Sequence, residues 1–140
     1  MEREGSLSYI ITGKAYDVYN ELDYGLLESA YEAALEWELQ QEGLTVEHEV
    51  PLPMYYKGHR LSNCYRIDMM INRKVILELK TVEHIGSEHR LQLFNYMRLT
   101  HTKYGMLINF GPLAVRTEKY ILDESTNTCE LINVIEKYYF

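Results

Sequence analysis

The sequence is short of several features that would settle its class at once. Its 140 residues hold two cysteines, Cys64 and Cys129. They stand at no metal-ligand spacing, so a disulfide framework and a thiolate zinc site both fall away. Free thiols in a reducing compartment, and so a cytoplasmic location, are the expectation. No apolar run approaches the ~20 residues that a membrane-crossing helix requires. The charged opening Met1-Glu2-Arg3-Glu4-Gly5 leads into no long apolar stretch, so neither a signal peptide nor a membrane partner is expected. The five histidines do not group either. His59 with Cys64, or His84 with His89, match no closed zinc site, and surface or hydrogen-bonded histidines are the expectation. Repeats, low-complexity segments and linkers are missing too, and the length suits one domain over residues 1–140 with a real core.

What is present is a soluble, globular composition, 46% apolar and 25% charged, with a net charge of -7. That balance argues against a generic nucleic-acid coat protein. The distribution is more informative than the sum. Residues 1–56 carry twelve acidic and two basic side chains, whereas residues 57–103 carry four acidic and nine basic ones. A locally basic segment can still meet phosphate, although chance scatter in a small domain gives the same pattern as readily. The thirteen tyrosines suit an interaction surface, where tyrosine is favoured.

In chain order, Leu7, Ile10, Ile11, Ala15, Val18, Tyr19 and Leu22 space out an amphipathic helix over about 6–22. Asp23-Tyr24-Gly25 breaks it. A second helix is expected from about Leu26 to Gln41 and stopped by Gly43, with Trp37 and its apolar neighbours in the core. Glu28 and Tyr31 share a face of that helix, and Glu32 and Leu35 continue the strip. Spacing alone reads this as a solvated glutamate beside a half-buried tyrosine. Residues 45–56 carry Pro51 and Pro53 and read as an edge strand or an interrupted one. A helix is expected from Ser87 or Glu88 to Thr100, packed through Leu91, Leu93 or Phe94, and Met97. Gln92 and Tyr96 lie on one side of it, with His89 about one turn before. Tyr104–Phe110 is a buried strand, 113–122 another, and 129–140 either strand or short helix. The order gives an α/β or α+β sandwich with a mixed sheet.

Between these lies Tyr65–Lys80, two apolar runs joined at Asn72-Arg73-Lys74, which reads as a β-hairpin. Asp68, Glu78 and Lys80 interrupt its apolar pattern. Side chains alternate along a strand, so Glu78 and Lys80 share one face and Leu77 and Leu79 the other. Charges near the middle of a sheet are costly unless paired or bound to metal. A two-residue loop would set Asp68 opposite Leu77, away from Glu78. A three-residue loop or a bulge would set Asp68 opposite Glu78, so a functional site requires one of these.

The residues then resemble a known family. Gly25-Leu26-Leu27-Glu28-Ser29-Ala30-Tyr31 matches the motif that names the GxxExxY protein family. Asp68 with Glu78-Leu79-Lys80 matches the Asp…(Asp/Glu)-x-Lys signature of the PD-(D/E)XK nuclease superfamily, with Ile67 standing in place of the signature proline. Gln92-Leu93-Phe94-Asn95-Tyr96 resembles a Gln-x-x-x-Tyr helix motif of its exonuclease-like branch. The likeness runs over about 8–121, leaving 122–140 as a C-terminal extension. It implies a restriction-endonuclease-like αβββαβ core with a mixed central sheet flanked by helices.

The same resemblance implies Mg²⁺ (or Mn²⁺) held by Asp68, Glu78, the Leu79 backbone carbonyl and Glu28, oxygen donors suited to a hard cation. Lys80 would orient the attacking water, Gln92 would position it or the lysine, and Tyr96, Tyr31 and His89 would buttress the site or touch substrate. Without metal, the clustered carboxylates should raise one another's pKa. The implied activity is metal-dependent hydrolysis of DNA or RNA. The alternative is a nuclease-like fold kept for binding a protein partner or for homodimerisation.

Overall fold

The computed structural model describes residues 6–62 and 65–132. Two helices lead, α1 (Leu7–Leu22) and α2 (Glu28–Gln41), followed by strand β1 (Val46–Leu52). A two-residue-per-strand hairpin comes next, β2 (Tyr55–Tyr56) and β3 (His59–Arg60), then β4 (Tyr65–Ile71) and β5 (Val75–Lys80). Helix α3 (Ser87–Thr100) is followed by β6 (Tyr104–Phe110), β7 (Val115–Asp123) and β8 (Thr128–Leu131). Six strands form one mixed sheet in the order β1-β4-β5-β6-β7-β8, antiparallel except for the parallel β5–β6 pair. That pair needs a crossover, and α3 is it. Pro51 sits in β1, an edge strand of this sheet, where a missing N–H costs no ladder bond. No helix among the described residues is long and apolar enough to cross a membrane.

The helices cover both faces of the sheet. Ile11, Ala15 and Val18 of α1 and Tyr31, Leu35 and Leu39 of α2 recur every three or four residues and bury against Met69, Ile71, Leu77, Leu79, Met106, Ile108 and Phe110. Leu93, Tyr96 and Met97 of α3 bury on the opposite face against Ile76, Leu107 and Tyr120. Tyr31 stacks on Phe110 at 4.6 Å between centroids, and Tyr19 of α1 stacks on the same ring. Phe110 therefore ties both helices to β6. Arg90 grips Glu118 of β7 through two bonds of 2.8 Å, and the Tyr120 hydroxyl donates to the same carboxylate, which anchors α3.

Three sequence expectations change. Helix α2 begins at Glu28 rather than Leu26, with Leu27 extended as its N-cap residue. Trp37 is 58% exposed rather than core. It lies two residues, about 200° of helix rotation, from Leu35 and so points away from the buried stripe. Leu91 of α3 is likewise exposed. The open choice at 129–140 becomes strand over Thr128–Leu131, and residues 133–140 lie outside the described ones.

The β4–β5 loop has three residues, with Ile71 paired to Val75, Met70 to Ile76 and Met69 to Leu77. Asn72 and Arg73 both take positive φ (53° and 52°), and the Lys74 N–H closes on the Ile71 carbonyl at 2.9 Å. The Asn72 side chain accepts the Thr45 N–H at 2.8 Å, which fastens the loop to the start of β1.

Replacing Phe110 by Ala should destabilise the protein by about 3–5 kcal/mol, because it opens a cavity under both α1 and α2. Urea unfolding checks this, and a loss under about 1 kcal/mol would show that the two stacked tyrosines do not depend on that ring.

Candidate active site

The three-residue loop puts Asp68 opposite Glu78, but the ladder does not continue to them. The Asp68 N–H donates to Glu78 Oε1 at 3.3 Å, and the Leu79 N–H donates to Asp68 Oδ2 at 2.8 Å. Each carboxylate thus takes a backbone donor of the facing strand. The facing β1 residue is Glu49, which has φ +51° and is skipped by the β1–β4 pairing between His48↔Met69 and Val50↔Ile67. Such a backbone is costly for a non-glycine residue.

Here both strands turn over. Met69 and Ile71 pack beneath α1 and α2, yet Ile67 packs with α3; Val46 packs beneath α1 and α2, yet Val50 and Leu52 pack with α3. Strict alternation would keep each set on one face. The face change occurs at Glu49 and Asp68, and it exposes acidic side chains to both layers.

Carboxylate oxygens of Glu32, Glu49 and Asp68 all lie within 4.8 Å of one another. Glu28 stands in the first turn of α2, close enough to Asp68 and Lys80 to respond to both charges. Glu78 is 1% exposed. Burial, then the charge of Asp68, pushes its carboxyl well above the ordinary range. Burial and Asp68 also raise Glu28, and burial raises Asp68 itself against the Leu79 N–H and Lys80. Burial, Asp68 and Glu49 push Glu32 up to about 7.

On the α3 side, Lys80 Nζ donates to Gln92 Oε1 at 3.0 Å, and Gln92 Nε2 donates to the Tyr96 hydroxyl at 3.0 Å. The lysine therefore has a held direction. The buried Asn109 side chain bonds both the N–H and the carbonyl of Val82, which pins the chain just beyond Lys80.

Of the residues singled out from sequence, Asp68 is bonded to the Glu78 strand and Lys80 through Gln92 to Tyr96, and Glu28 stands near enough to Asp68 and Lys80 to feel both charges. Tyr31 is instead fully buried. Its hydroxyl donates to the Asp23 carbonyl and receives the Leu26 N–H at 3.3 Å, so it clasps the loop that leads into Glu28. The His89 Nδ1 accepts the Gly86 N–H at 2.9 Å and caps α3. Glu32 and Glu49, whose carboxylates group with that of Asp68, were not singled out as site residues. Glu32 follows Glu28 by one helical turn, a like-charged pair that is unfavourable unless something offsets it. Glu49 follows Glu47 by two residues in the sequence, which strict alternation would put on one face, but the turnover of β1 separates them.

The family model for the PD-(D/E)XK nuclease superfamily matches residues 5–121. The chain belongs to that superfamily. Every residue just described lies within the matched span. The crystal structure of SSO0001 is similar in fold, with a TM-score of 0.51 and 18% identity, covering 91% of this chain and 73% of that one. At that identity the likeness speaks for the fold alone. No curated protein matches the sequence. The superfamily's chemistry calls for a divalent metal, and the donor set here fits one. It is all oxygen, negatively charged and crowded, the donor chemistry that a hard cation takes.

Raised carboxylate pKa values mean that the folded state binds protons more tightly than the unfolded one. Stability is therefore fully present below the ordinary value and falls as pH rises through the folded value. For Glu32 that window runs from 4.5 to about 7. Metal-free protein should lose stability across it, and Glu32→Gln should remove about 1 kcal/mol of that loss after solvent screening is allowed for. Thermal unfolding at a series of pH values checks this. A flat profile for the parent protein would contradict the crowding.

Proposed function

We propose that this chain is a Mg²⁺- or Mn²⁺-dependent nuclease of the GxxExxY group that hydrolyses phosphodiester bonds in DNA or RNA. The observation that carries the reading is the held lysine. Lys80 is bonded to Gln92 on the same sheet end as the interlocked Asp68 and Glu78.

Asp68, with Glu32 and Glu49 and bordered by Glu28 and Glu78, would hold the cation. Bound there, a divalent metal would supply Lewis-acid stabilisation of charge on the scissile phosphate. Lys80 directs its ammonium at the attacking water and offsets charge on the phosphate. Gln92 keeps Lys80 on that line, and Tyr96 keeps Gln92 from turning its amide. Tyr31 holds the Asp23–Leu26 turn, so Glu28 enters α2 at a fixed angle. In this reading Tyr31 and His89 position neighbouring backbone and do not touch substrate.

The alternative, a nuclease-like fold that serves as a protein-interaction module or a homodimer, is favoured by Leu27 and Trp37, which are 78% and 58% exposed. Metal binding separates the two. Titration calorimetry with Mn²⁺ should show binding to the parent protein and its loss in Glu78→Ala. No binding to either protein would favour the interaction module. Lys80→Ala should lower turnover by at least about 10²-fold, the scale of a positioned proton-transfer or electrostatic group, without changing the unfolding midpoint. Undiminished cleavage by that variant would assign the activity to something else.

A further inference from the structure

The β2–β3 hairpin has no part in the site as described, yet it sits beside it. It is inserted between β1 and β4, and Asp68 lies three residues past the start of β4 at Tyr65. The Lys57-Gly58 turn has positive φ at both positions (49° and 80°), the backbone of a tight two-residue hairpin, and the Leu61 N–H closes its base on the Met54 carbonyl at 2.8 Å. Its turn geometry is therefore defined locally.

Every side chain on it is exposed. Tyr55 is 61% and Tyr56 60% exposed, and Tyr65, where the chain re-enters the sheet, is 56%. Tyr55 pairs across with Arg60, and Tyr56 with His59, so each face of the hairpin presents one aromatic ring and one basic side chain. Lys57 Nζ lies 5.5 Å from the centre of the Tyr56 ring. From Val50 to Ile67 the sequence holds Lys57, Arg60 and Arg66 and not one acidic residue, in a chain of net charge -7.

The chain at the base of the hairpin borders the site. Met54 at its base, Tyr65, His89, Leu91, Gln92 and Tyr96 line one cavity of about 760 Å³. Tyr65 meets Tyr96 edge-on at 6.0 Å, and Tyr96 is bonded to Gln92, which holds Lys80.

We propose that the hairpin and this cavity form a platform for single-stranded nucleic acid, which feeds an unpaired strand to the Asp68–Lys80 centre. Exposed tyrosine faces accept bases only where those bases are unpaired. Lys57 lies over the Tyr56 ring and Arg60 pairs across from Tyr55, so each ring has a cation beside it to meet phosphate. A duplex, with its bases stacked and paired, would offer the rings no base face. The proposal rests on the nuclease reading for its purpose, though not for its binding chemistry.

The test is fluorescence anisotropy with a labelled oligothymidylate of about 20 nucleotides, longer than the ~4–16 nucleotides of such platforms. A blunt duplex of equal length is the comparison. Titrations are run in EDTA, and in Mn²⁺ with the Lys80→Ala chain to prevent turnover. The single strand should bind more tightly than the duplex. Tyr55→Ala with Tyr56→Ala should weaken it by at least about tenfold, from the loss of two stacking faces. Lys57→Ala with Arg60→Ala should flatten the slope of log affinity against log salt by about 1.4, two phosphate contacts' worth.

Equal or tighter duplex binding, no strand binding at all, or tyrosine variants that bind like the parent would each overturn the platform. Circular dichroism confirms that these surface variants fold. Mn²⁺ calorimetry keeps the two ideas apart. Tyrosine-dependent strand binding without a metal site would sink the nuclease reading alone, and metal-dependent cleavage with indifferent tyrosines would sink the platform alone.

Discussion

The exchange between Asp68 and Glu78 is the constraint on which the rest of the site depends. In an ordinary antiparallel pair, backbone groups bond backbone groups. Here the two carboxylates substitute for carbonyl acceptors, so the strands stay joined while their ladder is interrupted. The interruption lets β1 and β4 change faces at Glu49 and Asp68. Acidic groups from α2, β1, β4 and β5 then reach one place without any of them crossing the apolar layers. A continuous ladder would keep Asp68 on one face and α2 on the other.

Two independent supports converge on that place. Beneath α1 and α2, the stack of Tyr19 and Tyr31 on Phe110 sets the helices, and the Tyr31 hydroxyl sets the turn before Glu28. On the other face, the Arg90–Glu118–Tyr120 cluster sets α3 and with it Gln92. The carboxylates and the lysine are thus aimed by different layers of the molecule. The energetic cost is concentrated between them, in carboxyl groups whose proton affinity is raised by burial and mutual charge.

Much of this was legible from the sequence, and what was not has a physical reason. Alternation along β5 placed Glu78 with Lys80, and the requirement that Asp68 meet Glu78 demanded the loop length observed. Both are local statements about neighbours along a hairpin. Glu32 and Glu49 were missed because their approach to Asp68 depends on how α2 docks and on which rung of β1 faces β4, and neither is encoded in nearby spacing. Glu49 also takes a left-handed backbone that its residue type does not announce. Trp37 departs from expectation for a simpler reason: the buried stripe of Tyr31, Leu35 and Leu39, spaced four apart, leaves position 37 on the outward side of α2. The family motif identified Tyr31 without its role, since only the fold shows the hydroxyl turned back to the Asp23–Leu26 backbone.

The turn at Asn72-Arg73-Lys74 lies wholly on the surface, exposed at all three positions. Surface turns commonly tolerate additions and deletions. This one carries a tie that most surface bends lack: Asn72 and Arg73 hold positive φ, and the Asn72 side chain accepts the Thr45 N–H, so the bend is also the buckle between β1 and the β4–β5 hairpin. A change of its length that kept Ile71 opposite Val75 would leave Asp68 facing Glu78, whereas loss of the Asn72 side chain would loosen the strand that brings Glu49 to the same place.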